Sequence, residues 1–321
     1  MLSSTQQSRA LVQQYRLVGR HSAVKICHWT KECVRKGRVC YKQDFYGIHT
    51  GNCLEMTPAI TCNHRCLHCW RDTSLFSAKW EGEADEPKEI INGCIEGRRK
   101  LLIGFGGREN VKADKKFQEA FVKYLIPDHA AISLTGEPCL YPRLPELIDS
   151  FFDDFNFRSV FLVTNGTVPE MLKRIGTESK HYPTNIYLSL QAFSLESHKK
   201  LNHPVILNTW DKMKESMKYL STIQSKTTTV LRITAIKGEN MAHATEFLSF
   251  IQSMKPQFIE VKGYGFLGCS RNRLKKENAP NWEEVQAFAE EIGKLSGYKI
   301  GAKHEASDIV RLESFSAEKR H

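Results

Sequence analysis

The sequence contains no run of 18 apolar residues, no internal repeat and no low-complexity segment. The first absence excludes a membrane-spanning helix, which needs about 20 predominantly apolar residues. The composition, with 41% hydrophobic and 26% charged residues, rules out a largely disordered chain. The 321 residues therefore suffice for one large globular domain or two modest ones.

Acidic side chains are missing from the first 25 residues, where Arg9, Arg16 and Arg20 lie among apolar residues. Transit peptides share this composition. Because the segment has neither the apolar stretch of a targeting peptide nor a clear cleavage site, we predict an amphipathic helix packed on the domain. Over the whole chain the net charge is +10. This charge is compatible with a polyanionic partner, nucleic acid first, and equally with a basic surface that has no special partner.

The cysteines are concentrated, since seven of the ten lie between Cys27 and Cys69. A disulfide scaffold spreads its cysteines through a small secreted chain. Clustering in a large chain instead indicates metal ligation in a reducing compartment, and we expect a cytoplasmic protein.

From Cys53 onward, short β-like runs alternate with helical stretches. The β-like runs are Leu54–Ala59, Ala131–Thr135, Val160–Thr164, Ile186–Leu190, Val230–Ile236 and Phe258–Tyr264. The helical stretches include Leu144–Phe155, Pro169–Ile175, Trp210–Ile223, Ala244–Met254 and Trp282–Leu295. Six βα units predict an α/β fold whose parallel sheet curls into a partial (βα)6 barrel. A doubly wound open sheet is the competing topology.

Two details refine this prediction. Four strands carry polar residues on one face, for example Arg232 and Thr234, and we expect this face to line a ligand cavity. Antiparallel strands with a solvated face are the alternative. The segment Glu86–Asp128 is longer than one helix, and we predict two helices with a Gly-rich connection. Five glycines are expected to break it: Gly93, Gly97, Gly104, Gly106 and Gly107.

Cys62, Cys66 and Cys69 form a Cys-x3-Cys-x2-Cys group directly after the first predicted strand. Three thiolates on one loop can hold three irons of a 4Fe–4S cube and leave the fourth iron open to a small molecule. A structural zinc ion is usually bound by four protein ligands, so zinc is the weaker alternative. The loop also lies at the strand end where barrel enzymes build active sites.

This spacing resembles the signature of the radical S-adenosylmethionine (SAM) superfamily. The resemblance implies that the open iron binds SAM and that reduction cleaves SAM to a 5′-deoxyadenosyl radical. Thr135-Gly136-Glu137-Pro138 looks like the strand end that meets the SAM amino group in this superfamily. One departure is His68, where a carbocyclic aromatic residue is usual. The implied SAM-binding residues are Thr135, Gly136, Glu137, Asn165, Ser189, Gln191, Arg232 and Tyr264.

Cys27, Cys40 and Cys53 are evenly spaced in a basic stretch with too few apolar residues to bury thiols as core. They indicate a second metal site, with buried free thiols as the alternative. Together with the first loop and the run Lys262–Leu274, they resemble the 4-demethylwyosine synthases, the tricyclic-base enzymes of tRNA-Phe. The resemblance implies a second 4Fe–4S cluster on these three cysteines. The other cysteines receive no ligand role, although spacing alone leaves Cys33 open: Cys33, Cys94, Cys139 and Cys269.

The resemblance further implies a lyase that condenses N1-methylguanosine, next to the anticodon of tRNA-Phe, with pyruvate. The radical removes hydrogen from the N1-methyl group, the carbon radical attacks C2 of pyruvate, and the guanine amine closes the new ring as formate is lost. Lys42 matches the family's candidate for holding pyruvate as a Schiff base. The alternatives are a surface lysine paired with Asp44, or pyruvate bound to an open iron of the second cluster.

A basic run follows the sixth predicted strand and is expected to contact tRNA phosphates, unless it is only a solvated loop. Its residues are Ser270, Arg271, Asn272, Arg273, Lys275 and Lys276. The chain resembles the stand-alone archaeal form of the family, without the flavodoxin-like domain of eukaryotic members. We therefore expect an external flavodoxin- or ferredoxin-type electron donor. We also expect a monomer. We assign residues 1–52 to a helical segment with the auxiliary cluster, and 53–321 to the barrel with a C-terminal tRNA-contacting extension.

Two other classes of protein remain open from the sequence. One is a radical SAM activating enzyme that acts on a protein partner and needs no basic track for nucleic acid. The other is a zinc-binding nucleic-acid module without enzymatic activity, which iron and acid-labile sulfide analysis would separate from both enzymes.

Overall fold

The computed structural model describes residues 8, 11–105, 107 and 115–314. The chain divides into two compact units. The first consists of Met1–Thr61, Lys79–Leu162 and Arg174–Thr184, and the second consists of Cys62–Ala78, Val163–Lys173 and Asn185–His321. The strands in the described part are β1 (Arg16–Val18), β2 (Ser22–Lys25), β3 (Cys53–Thr57), β4 (His129–Ile132), β5 (Ser159–Thr164), β6 (Asn185–Leu190), β7 (Thr228–Ala235), β8 (Phe258–Gly263), β9 (Lys299–His304) and β10 (Ile309–Glu313). The helices are α1 (His28–Lys36), α2 (Tyr41–Tyr46), α3 (Pro87–Ile103), α4 (Lys115–Tyr124), α5 (Leu144–Asp153), α6 (Pro169–Glu178), α7 (Leu195–Asn202), α8 (Thr209–Thr222), α9 (Leu248–Met254) and α10 (Trp282–Ser296). None of these helices is long and apolar enough to cross a membrane.

The sheet of the first unit runs in the order β1-β2-β3-β4-β5. β1, β2 and β3 pair antiparallel, whereas β3, β4 and the part of β5 up to Leu162 pair in parallel. The three parallel strands are the first three predicted from the sequence. β2 and β3 pair across the predicted boundary at residues 52 and 53, so the N-terminal strands extend the same sheet.

The predicted amphipathic helix in the first 25 residues is wrong from Arg16 onward, where the chain forms the β1–β2 hairpin. Gly19 turns the hairpin at φ +56. Arg20 closes it, because its backbone N and its Nε donate to the Asp85 carboxylate at 2.7 and 2.6 Å. Short apolar runs such as Ala23–Val24 are ambiguous between helix and strand. The pairing edge of β3 decides in favour of a strand.

Gly93 and Gly97 do not interrupt a helix, contrary to the prediction. Both lie inside α3. A Cβ atom would lie 2.4 Å from Val18 Cγ1 at Gly93 and 2.7 Å from Val24 Cγ1 at Gly97. The two glycines therefore let α3 pack directly on β1 and β2. The two predicted helices are present as α3 and α4, and Gly106 of their predicted connection lies outside the described residues.

The sheet of the second unit runs in the order β6-β7-β8-β10-β9. β6, β7 and β8 pair in parallel, as predicted, which excludes the antiparallel alternative for these strands. β10 pairs antiparallel with both β8 and β9, and neither β9 nor β10 was predicted. For β9 the physical reason is its exposure to solvent, which leaves it without the buried apolar run that marks the other strands.

Candidate metal centres

Cys62, Cys66 and Cys69 lie in the second unit on the three-cysteine loop (residues 62–70). The buried side chain of Asn63 anchors the start of this loop. Its Nδ2 donates to Thr167 Oγ1 at 2.7 Å, and its Oδ1 accepts from Asn165 Nδ2 at 2.9 Å. The residues that follow β5 therefore hold the first half of the loop.

The rest of the loop is held by α7 and by the segment after β8. Arg65 N donates to Asn202 O at 3.0 Å, so the loop satisfies a carbonyl that a helix C-terminus leaves without an internal partner. Trp70 Nε1 donates to Gly265 O at 3.1 Å. The Arg273 guanidinium donates to two further loop carbonyls. The thiols therefore sit on a loop that is fixed at its start, middle and end.

The donor chemistry of this loop fits an iron–sulfur cluster. All ten cysteines are free, and Cys62, Cys66 and Cys69 are each half-buried. Burial raises the pKa of the Cys66 and Cys69 thiols, and metal binding would remove these protons. Among the described residues, no three His, Cys, Asp or Glu side chains converge as the ligands of one ion do. Thiolates on a cube each bind a different iron and need no such convergence.

His64 and His68 lie between these cysteines and carry buried polar atoms. Both ring nitrogens of His64 and Nδ1 of His68 have no hydrogen-bond partner in the described part of the chain. Burial lowers the pKa of His64 to about 3 and that of His68 to about 4, so both rings are neutral at pH 7. Buried polar atoms without partners are rare in native proteins. Their presence beside the thiols fits a site that a bound group completes.

The second cysteine group lies in the first unit, at the beginnings of three elements. Cys27 precedes α1, Cys40 precedes α2 and Cys53 begins β3. Buried Thr50 connects all three segments. Its Oγ1 accepts from Cys40 N at 2.9 Å, and its carbonyl accepts from Cys53 N and from Thr30 Oγ1, which in turn contacts Cys27 Sγ at 3.1 Å. Residues far apart in sequence are thereby brought to one place.

The exposure of the cysteines separates the six ligand candidates from three of the four other thiols. All six predicted ligands are half-buried, whereas Cys33, Cys94 and Cys139 are buried. The Cys33 thiol donates a hydrogen bond to Tyr124 Oη at 3.7 Å. Cys269 is half-buried, and its proximity to Cys69 raises the pKa of the Cys69 thiol further.

A fully buried guanidinium lies beside the second group. Arg98 of α3 donates from Nε to Cys53 O at 3.1 Å, and from its two terminal nitrogens to Tyr124 O and Gly51 O. Burial lowers its pKa to about 10, while charge on Cys53 and Cys27 acts in the opposite direction. A buried cation is costly unless an anion balances it. Thiolates on a metal cluster would provide that anion.

We expect Arg98→Gln to lower the free energy of unfolding by about 3 kcal/mol or more, because it removes charged hydrogen bonds to three main-chain carbonyls at about 1.5–3 kcal/mol each. Anaerobic urea denaturation measures this. The matched control is Arg99→Gln, which removes the same charge from an exposed position on the same helix and should change stability by less than about 0.5 kcal/mol. Equal effects of the two substitutions would contradict the anchoring role of Arg98.

Lys42 of α2 belongs to the same group and is not a surface lysine. Its side chain is buried, and Nζ lies 4.9 Å from the centre of the Phe161 ring. Burial raises the pKa of Cys53 to about 12, and the Lys42 charge counteracts this shift. The ammonium therefore lies within electrostatic reach of Cys53 and of Cys27.

The predicted SAM-binding residues of the first unit follow β4. Gly136 adopts φ +76, and a Cβ atom there would lie 2.1 Å from Ala59 O, so only glycine fits. Glu137 N donates to Thr61 O at 2.7 Å, which ties this turn to the residue before Cys62. Thr135 Oγ1 is buried and has no partner among the described residues, which leaves it available to a ligand.

The predicted SAM-binding residues of the second unit make contacts within the protein. Ser189, Arg232 and Glu260 form one row across β6, β7 and β8. The Arg232 guanidinium forms an ion pair with the fully buried Glu260 and lies 5.0 Å from the centre of the Tyr187 ring. The polar row is therefore partly neutralised by the protein itself.

Asn165, Gln191 and Tyr264 connect strand ends to neighbouring segments. Asn165 binds the three-cysteine loop through its side-chain amide. The Gln191 carbonyl accepts from Asn240 Nδ2 at 2.9 Å. Tyr264 is a core residue whose hydroxyl donates to Ser270 Oγ at 2.8 Å. Their contact with SAM stays a prediction.

The predicted basic run divides into inward and outward residues. Ser270 is fully buried and donates to Leu267 O at 2.6 Å, which does not agree with a tRNA contact. Arg273 is directed towards the three-cysteine loop. The exposed members of the run are Arg271, Asn272, Lys275 and Lys276.

The sequence analysis did not assign a positioning role to four residues: Asn63, Thr50, Arg98 and Arg273. Only Asn63 had a usable signal, because it lies inside the cysteine motif. The contacts of Thr50 and Arg98 join segments that are distant in sequence, so no local sequence pattern predicts these contacts.

Two family profiles match the chain: residues 56–251 match the radical SAM superfamily, and residues 253–314 match the wyosine base formation family. The chain is 43% identical to the S-adenosyl-L-methionine-dependent tRNA 4-demethylwyosine synthase of Pyrococcus abyssi, over 94% of this chain and 86% of that protein. It is 34% identical to the enzyme of the same name from Saccharomyces cerevisiae, over 94% of this chain and 37% of that protein.

Two solved structures are similar over nearly the whole chain. TYW1 with a lysine–pyruvate adduct bound has a TM-score of 0.84 and 29% identity, covering 98% of this chain and 96% of that one. Archaeal TYW1 has a TM-score of 0.77 and 27% identity with the same coverage.

The α/β fold and the three-cysteine loop thus define a radical SAM enzyme, as predicted. SAM and a 4Fe–4S cluster are the cofactors of that class. The chain belongs to the family of S-adenosyl-L-methionine-dependent tRNA 4-demethylwyosine synthases.

Proposed function

We propose that this chain is a lyase that condenses N1-methylguanosine, next to the anticodon of tRNA-Phe, with pyruvate to form 4-demethylwyosine. The observation that carries the proposal is the buried Lys42 beside Cys27 and Cys53 in a chain of this family. Anaerobic incubation with SAM, reductant, pyruvate and N1-methylated tRNA tests it. Nucleoside mass spectrometry should find the tricyclic base, and its absence from the complete reaction would count against the proposal.

Cys62, Cys66 and Cys69 would hold the SAM-binding cluster. When bound, cluster and SAM supply the 5′-deoxyadenosyl radical that removes hydrogen from the N1-methyl group. The chain contributes a loop fixed by Asn63 and Arg273, which sets the positions of the thiols. Thr135 Oγ1 is available as a hydrogen-bond partner for the SAM amino group.

Cys27, Cys40 and Cys53 would hold a second 4Fe–4S cluster. Three half-buried free thiols brought together through Thr50 support this assignment. The buried Arg98 supports it independently, since an anionic cluster would balance its charge.

Lys42 would bind pyruvate covalently. Its Nζ attacks the C2 carbonyl, and loss of water gives an imine that orients the substrate. Burial of the side chain keeps bulk water away from this bond, which water would otherwise hydrolyse. The related TYW1 structure that carries a lysine–pyruvate adduct supports this route over binding of pyruvate to an iron.

Arg271, Asn272, Lys275 and Lys276 would contact tRNA, and three of them are exposed cations in a chain of net charge +10. Replacing Arg271, Lys275 and Lys276 together by Gln should weaken tRNA binding. The slope of log K against log salt should fall by about 0.7–0.9 for each phosphate that is no longer neutralised. Fluorescence titrations at several salt concentrations measure both effects. Wild-type affinity and slope in this variant would make the run a solvated loop.

The remaining partners are part of the same proposal. Electrons would come from an external donor of the flavodoxin or ferredoxin type. The protein would act in the cytoplasm, where reducing conditions keep thiols available for metal. We propose a monomer, which light scattering of the anaerobic holoenzyme tests.

A further inference from the structure

The segment that follows β8 lies directly on the three-cysteine loop. Cys269 N donates to Trp70 O at 2.9 Å. Gly268 adopts φ +53, where a Cβ atom would lie 2.3 Å from the same oxygen. No side chain fits at this position, so the two backbones are in contact.

Arg273 directs its donors to the same loop. Its Nε donates to Leu67 O at 3.2 Å and its Nη2 donates to Cys69 O. A planar guanidinium that holds two carbonyls of one turn restricts the turn more than a single flexible ammonium would. The guanidinium and its positive charge therefore lie against the backbone that carries two of the three thiols.

We infer that Arg273 is a positioning residue of the SAM-binding centre, which holds the turn between Cys66 and Cys69 and raises the reduction potential of the cluster. The inference rests on the proposed cluster site. Reduction adds a negative charge to a cluster, so a fixed cation nearby stabilises the reduced state more than the oxidised state. Surrounding charge and hydrogen bonds are known to set cluster potentials.

This role differs from the tRNA contact that the sequence predicted for Arg273. Its hydrogen bonds go to main-chain carbonyls of the loop, and the residue is only partly exposed. The outward positions of the same run, such as Arg271 and Lys275, remain available for phosphates. A single substitution at Arg273 therefore separates an effect on the cluster from an effect on tRNA.

The test is a redox titration of the anaerobic holoenzyme, followed by EPR, with SAM and without tRNA. In Arg273→Gln we expect the ratio of reduced to oxidised SAM-binding cluster at a fixed potential to fall about tenfold, which corresponds to about 59 mV for one electron. Arg273→Lys keeps the charge and should stay closer to the wild type. Arg99→Gln removes an exposed charge elsewhere and should leave the titration unchanged.

A wild-type midpoint in Arg273→Gln would overturn the inference. It would also be overturned if the salt slope of tRNA binding in this variant fell by the amount expected for one phosphate, because Arg273 would then belong to the RNA interface. If Arg273→Gln bound only half of the iron, Arg273→Lys would decide. Loss of the same cluster would support the hold of the planar guanidinium on the turn. Recovery of both clusters with a wild-type midpoint would support the role of the charge, and recovery with a tenfold lower reduced fraction would overturn it. A wild-type protein without iron and sulfide would defeat the proposed function itself, so the two failures are distinguishable.

Discussion

Replacing Cys62, Cys66 and Cys69 together by Ala should leave about half of the bound iron and abolish reductive cleavage of SAM. The three side chains supply the only thiols on residues 62–70. SAM cleavage requires the cluster that they would hold, whereas the second group lies on other segments. Iron and acid-labile sulfide analysis, together with chromatographic quantification of 5′-deoxyadenosine, measures both effects.

The matched control is the triple substitution of Cys27, Cys40 and Cys53 by Ala. It should also leave about half of the iron, but it should retain cleavage of SAM without tRNA and form no tricyclic base. Cys139→Ala changes a buried thiol outside both groups and should retain all of the iron. Complete loss of iron, or no loss, in the first triple variant would contradict the presence of two separate cluster sites.

Lys42→Arg should nearly eliminate the tricyclic product while tRNA binding and reductive SAM cleavage persist. Arg keeps the positive charge beside Cys27 and Cys53, but it stays protonated and cannot form an imine with pyruvate at neutral pH. Because catalysis is expected to need the covalent bond, the loss of product should exceed about 100-fold. Nucleoside mass spectrometry measures the product, and borohydride trapping of labelled pyruvate measures the adduct.

Lys31→Arg provides the matched control, since Lys31 lies on the neighbouring helix α1 and its ammonium binds Gln14 Oε1 at 3.0 Å in an exposed position. This variant should trap pyruvate and form product as the wild type does. Normal product yield from Lys42→Arg would remove Lys42 from the mechanism and leave binding of pyruvate to an iron as the remaining route.

The parallel strands and their helices could be predicted from the sequence because each is a local pattern. Buried runs such as Val160–Thr164 and amphipathic helices such as Trp282–Leu295 carry their own period, and both are found within one residue of the predicted start. The β1–β2 hairpin could not be predicted in this way. Its strands are only three and four residues long, and their conformation depends on pairing with β3.

The cysteines of both proposed centres could be selected from the sequence for the same reason, since cysteine spacing is a local signal, and their metal ligation stays a prediction. The groups that position them were not. In the sequence, Arg98 cannot be distinguished from the neighbouring cations of its helix, and Arg273 cannot be distinguished from the rest of the basic run. Only the structure shows that these two side chains point inward. Glycines posed the same difficulty: Gly97 resembles a helix breaker in sequence, although its missing side chain is what allows α3 to approach Val24.

The most direct test of the proposed reaction is one anaerobic incubation analysed by mass spectrometry. It combines tRNA whose N1-methyl group is fully deuterated with pyruvate labelled with carbon-13 at C2 and C3. We predict 5′-deoxyadenosine that gains one deuterium and a tricyclic base that gains both labelled carbons. Unlabelled 5′-deoxyadenosine, or a base without the pyruvate carbons, would contradict the proposed reaction.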